Sequence, residues 1–156
     1  MDWLQALQDW QVASFLRRSI YVYPLLNASH ILALTLLVGA ILPADLRMLG
    51  LFRSVAIAPF VRLMTSIAAF GAALAVVTGF LLFSVQPVEY AFNAAFLTKV
   101  SLVAAGIVLA LAVRTSSSWR MLLHEGRAGG GLRAAAFASI GIWTGALVAG
   151  RWIAFI

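Results

Sequence analysis

The chain has 156 residues, of which 63% are hydrophobic and 10% charged, with a net charge of +6 and no cysteine. A water-soluble domain of this length needs more polar surface than that, whereas lipid covers apolar side chains, so the composition excludes an ordinary soluble fold. The basic balance does not point to nucleic acid, because no basic stripe interleaves with aromatics and no zinc or helix-turn-helix pattern occurs; the missing cysteines exclude disulfides and thiolate chemistry.

The start does not read as a signal peptide, since Met1-Asp2-Trp3 lacks a positive n-region. Asp2 is instead placed to cap a helix, with Gln5 three residues on. Trp3, Leu7 and Trp10 then recur at helical spacing among glutamines, which predicts a short amphipathic helix over 2–18 lying in the membrane interface. Four stretches are long and apolar enough to span a bilayer: about 20–42, 60–83, 94–113 and 132–155. The expected fold class is therefore all-α: one domain over 1–156, an integral membrane four-helix bundle preceded by the interfacial helix. Pro24 sits in the first turn of the first span, where proline is tolerated. Pro43, Asp45 and Arg47 read as a turn at its far end, with the charges meeting the interface.

The basic residues set an expected orientation. Arg47, Arg53, Arg62, Arg114, Arg120, Arg127 and Arg133 fall on one side; Arg17, Arg18, Lys99 and Arg151 fall on the other. The positive-inside rule puts the first group in the cytoplasm, and so both termini in the periplasm of a bacterial inner membrane. Small residues at four-residue spacing, Gly71, Ala75 and Gly79 in the second span and Gly141, Gly145 and Ala149 in the fourth, predict close helix contacts or a homodimer face.

Polar residues at membrane depth carry the functional information. His30 lies about ten residues into the first span and shares a helix face with Tyr23 and Asn27, at spacings of three and four. A neutral imidazole there suits haem iron, another metal or proton relay; the plain alternative is a histidine hydrogen-bonded within the bundle for packing. Lys99 lies one turn into the third span and Arg151 near the end of the fourth, on the same side as Tyr23, Asn93 and Glu89. Either both cations snorkel to headgroups, or they line the mouth of a cavity with His30 at its floor, which suits haem propionates or a quinone headgroup. His124 and Glu125 lie in the arginine-rich region, about half a bilayer from His30. Met48, Met64 and Met121 lie on that side too and do not supply a second axial ligand. One histidine at membrane depth means that a bound haem needs another ligand type, an open position, or a histidine from a second protomer. No GxSxG, HExxH, Walker or Rossmann pattern occurs.

Tyr23-Pro24 followed by His30, Asp45-Leu46-Arg47 with Leu49-Gly50, the run Asn93-Ala94-Ala95-Phe96-Leu97-Thr98-Lys99, and Gly150-Arg151-Trp152-Ile153-Ala154 together resemble a bacterial family of small four-span membrane proteins without an assigned function. More distantly, a histidine in an early span and an Asn-to-Lys segment opening a later one resemble CopD-type copper-resistance proteins and the haem-binding membrane protoporphyrinogen oxidases. That resemblance implies haem b as cofactor, His30 as the ligand and Lys99 as its charged companion. Three functions follow as expectations: a haem-binding or redox-associated protein with Tyr23, Asn27, His30, Asn93, Lys99 and Arg151 around the site; a non-enzymatic anchor subunit of a larger membrane complex; or a small metal handler or transporter.

Overall fold

The structure is a computed structural model that describes residues 2–153 and 155, and the backbone alone of Asp2. The capping expected of the Asp2 side chain, and Ala154, lie outside the described residues. Those residues form eight helices and no strand: α1 (Asp2–Gln8), α2 (Gln11–Arg18), α3 (Val22–Leu49), α4 (Ile57–Val85), α5 (Pro87–Ala91), α6 (Ala94–Thr115), α7 (Ser117–Glu125) and α8 (Gly130–Trp152). Helices α3, α4, α6 and α8 are each long and apolar enough to cross a membrane. Phe70, Phe80, Val108 and Phe137 on them are all more than half exposed, an outward apolar belt that water would penalise and acyl chains accommodate. The chain is an integral membrane protein with four spans.

Two local expectations change. The turn at Pro43 does not form, and α3 runs on to Leu49. Pro43 has no N–H to offer the carbonyl four residues back, but Ala44 and Met48 are buried on the following turn, and that packing carries the helix past the proline. Termination comes at Gly50, whose left-handed φ of 106° suits glycine. There its N–H donates to the Arg47 carbonyl (3.1 Å) and the Leu51 N–H to the Leu46 carbonyl (3.0 Å), which satisfies the open end. The expected single helix over 2–18 is two, broken at Asp9 and Trp10. Leu4, Ala13 and Leu16 face inward, while Trp3 and Phe15 stay exposed. Arg17 fastens this pair: its guanidinium donates to the Gln8 carbonyl and, at 2.9 Å, to the Val85 carbonyl at the end of α4, one of the acceptors a helix terminus leaves open.

Packing of the spans follows from small residues. A Cβ on Gly71 would sit 2.5 Å from the Leu37 backbone nitrogen and 2.9 Å from the Ala33 carbonyl oxygen, so α3 and α4 touch backbone to backbone there. On the other side, a Cβ on Gly106 of α6 would sit 2.7 Å from the Trp143 ring of α8. Helices α3 and α8 join these two pairs. The backbones of α4 and α6 stay apart, and the two helices meet through side chains: Phe83 stacks on Phe96 (5.4 Å between ring centres) near α5, and Arg114 donates to the Thr65 hydroxyl (3.3 Å) near α7. One wall of the bundle is thus closed by side chains alone, with the α4 and α6 backbones apart.

Candidate functional site

Two candidate sites lie inside the spans, each centred on an ionisable residue of α3 and about 22 Å apart by its rise per residue. The first is His30, half-buried and roughly 12 Å from the start of the helix. Its Nδ1 is 2.8 Å from the Thr78 hydroxyl of α4. That hydroxyl has one proton, and at 2.7 Å from the Leu74 carbonyl of its own helix it donates there. With the hydroxyl proton assigned to Leu74, Thr78 accepts from His30, which puts the ring proton on Nδ1 and leaves the Nε2 lone pair as the coordinating atom. Gly79 makes room for the imidazole: a Cβ at that position would meet the ring carbon Cε1 at 3.2 Å.

Lys99 of α6 is near enough for its charge to act on His30. Its stem lies along Gly150 of α8, where a Cβ would meet Cδ and Cε at 3.3 Å and Nζ at 3.4 Å. No described residue accepts a hydrogen bond from it or forms an ion pair with it. The side chain is therefore held by packing between two spans rather than extended freely to the surface.

The other expected members take different places. Asn93 is the N-cap of α6, its Oδ1 accepting from the Phe96 N–H at 3.0 Å. Tyr23 is half-buried and interacts electrostatically with Tyr90 of α5. Asn27 is exposed. Arg151 is exposed too, with its guanidinium 5.0 Å from the centre of the Phe155 ring. The structure thus brings His30 and Lys99 together with Thr78, Gly79 and Gly150, and ties neither Asn27 nor Arg151 to them by any described contact.

Tyr90 itself lies outside the spans. It packs against Phe96 (5.3 Å between ring centres) and Phe83 (6.5 Å). Burial, and then Tyr23 and Glu89, push its phenol above the ordinary value of 10.0.

The second position is Asp45. Of the five acidic residues it alone is in a spanning helix. Far from meeting the interface at a turn, it is 2% exposed, and its Oδ2 has no hydrogen-bond partner among the described residues. Ser139 of α8 is the polar side chain close enough to act on this carboxyl. Asp45 is among the residues that line a cavity of about 170 Å³ between α3, α4, α6 and α8. Sequence reasoning passed over it because a charge close after a proline reads as interfacial. The available signal was spacing: Leu37, Ile41, Asp45 and Met48 follow one another by four, four and three, and all four line this cavity.

At the arginine-rich end, Arg47, Arg53, Arg127 and Arg133 border one surface depression. Among the described residues no group of three or more His, Cys, Asp or Glu side chains is placed to hold a metal ion.

A sequence profile described as "Family of unknown function (DUF6644)" matches residues 9–156. No curated protein and no solved structure matches the chain.

Proposed function

We propose that this chain, which belongs to the DUF6644 family of unknown function, holds haem b between its spans through His30, with Lys99 as the cation beside it. The observation that carries the reading is the Thr78 bond, which fixes the ring and leaves Nε2 for a ligand. A hydrogen bond to the far nitrogen is how ligating histidines are oriented. The donor set favours haem over a bare metal. A free ion asks the protein for three or four ligands, and the residues around His30 do not supply them. A porphyrin brings four nitrogens of its own and asks for one or two axial ones. The Lys99 amine fits as a counter-charge for a propionate or as a second nitrogen donor.

Bound haem would supply one-electron chemistry; the chain's own part is to fix the imidazole tautomer, place a cation and exclude water. The arginine-rich end belongs in the cytoplasm on this reading. The opposing count is weakened by Arg17, whose guanidinium is engaged with the end of α4.

The test is an absorption spectrum of protein purified after expression with ample haem, oxidised and reduced. A Soret band that disappears in His30→Ala is expected. Its absence from the wild-type protein overturns the proposal, and its persistence in His30→Ala moves the haem elsewhere.

A second reading, a self-associating anchor, draws on Gly141. This residue belongs to the small-residue stripe of α8 yet has nothing within 4 Å of where a Cβ would stand, so part of that stripe has no partner within the chain. Light scattering that finds only monomer in mild detergent would remove it.

A further inference from the structure

The cavity at Asp45 is separate from the His30 site and calls for a different ligand. We infer that it binds a lipid-soluble, single-ring aromatic molecule carrying a hydroxyl group, with the hydroxyl on Asp45 Oδ2 and the ring between Leu37 and Trp143.

Four observations define this occupant. The first is size: about 170 Å³ is slightly more than the roughly 150 Å³ apolar cavity that takes up benzene. The second is the lining, which is apolar except for Asp45, Ser139, Thr65 and Arg114, and which includes the indoles of Trp119 and Trp143. The third is the orphaned Oδ2 of Asp45, a residue that lines this space and is nine-tenths and more buried. A buried polar atom without a partner is costly, and a ligand that satisfies it is favoured. A hydroxyl suits either form of the carboxyl, because it donates to a carboxylate oxygen and accepts from a carboxylic acid. The fourth is access. The cavity is partly open and lies between the separated backbones of α4 and α6, inside the spans, so a molecule dissolved in the bilayer reaches it from the side.

Other occupants fit less well. A metal ion would find one carboxylate and two hydroxyls, of which Thr65 already donates to the Val61 carbonyl at 2.8 Å. An organic ammonium would meet Arg114, which borders the same cavity and holds Thr65 at 3.3 Å. An acyl chain would fill the space and leave Oδ2 unpaired.

The test uses the full chain in lipid nanodiscs, read by fluorine NMR with 4-fluorophenol and its match without the hydroxyl, fluorobenzene. The ratio of the two affinities is compared between wild type and variants, so that partition into lipid cancels. The wild type is expected to favour the phenol by roughly tenfold or more over what partition gives. Asp45→Leu should remove that preference and keep fluorobenzene binding, and Asp45→Asn should retain most of it. Ala72→Phe, which fills the cavity from α4, should remove both ligands. Equal ratios in the wild type and Asp45→Leu overturn the inference, as does saturable binding that survives Ala72→Phe. Preference for 4-fluorobenzylamine over the phenol replaces it with a cation site and so also overturns it. If Asp45→Leu does not fold, the Asn and Phe variants with the amine comparison still decide.

Discussion

The His30 imidazole of α3 and the Thr78 hydroxyl of α4 stand 2.8 Å apart, and this bond links the two helices at a polar point inside the membrane. Because Thr78 already donates to Leu74, the bond also fixes the imidazole tautomer. Thr78→Val keeps the shape and removes the acceptor. If His30 ligates haem, this variant should bind it about 10–100-fold more weakly while still giving a Soret band. Haem titration followed by absorbance measures the difference, and unchanged affinity would show that Thr78 does not support the ligand.

Gly71 is where α3 and α4 come closest. Gly71→Leu should force the pair apart and destabilise the protein by at least about 1–3 kcal/mol, the usual range for overpacking, since the clash is with backbone and not with a yielding side chain. Thermal unfolding in one detergent, wild type beside variant, should show a clearly lower midpoint. Gly141→Leu is the control: with open space around it, it should leave the monomer's midpoint nearly unchanged.

Asn93 and Lys99 should separate when each is changed. Asn93→Ala removes a helix cap and should cost about 1 kcal/mol of stability. Its effect on the absorption spectrum of the loaded protein should be small. Lys99→Met keeps the stem packed on Gly150 and removes the charge, so it should leave stability close to wild type and alter the spectrum or the reduction potential. The reverse pattern would make Asn93 the ligand-facing residue.

Tyr90 titrates on the aqueous side of the spans, and burial, Tyr23 and Glu89 all favour its neutral phenol. Its pKa in the folded protein is raised above its unfolded value, so folding disfavours the phenolate. Stability is unaffected below about pH 10 and falls as the pH rises through and above that ordinary value. Phenolate absorbance against pH, wild type minus Tyr90→Phe, should place this residue above an ordinary tyrosine. A difference titration centred at or below 10 would contradict the packing against Phe83 and Phe96.

Four spans were legible because hydropathy alone requires them, and the starts of α3 and α6 fall within two residues of expectation. Helix ends were harder. Pro43 argued for a stop, and only the burial of Ala44 and Met48 shows why α3 continues. Which spans touch was not readable, because a helix surrounded by lipid is apolar on every side and its pattern does not mark the inward face. Gly71 pointed correctly to close packing but not to α3 as the partner. His30 and Lys99 stood out because ionisable groups are rare at that depth. Thr78 and Gly150 did not, since a threonine or a glycine in a span is ordinary until its neighbour is known. Asp45 was hidden by the proline beside it.

The gap between the α4 and α6 backbones has a bearing on how any solute of the Asp45 cavity should be dosed. Phe83 on Phe96 near α5 and Arg114 on Thr65 near α7 join the two helices toward its ends, so it is a side window and not a funnel facing the aqueous phase. A compound entering this way is drawn from its concentration in the oily layer. Potency quoted per litre of buffer would then climb with each methylene added outside the ring, though nothing at the carboxyl had changed.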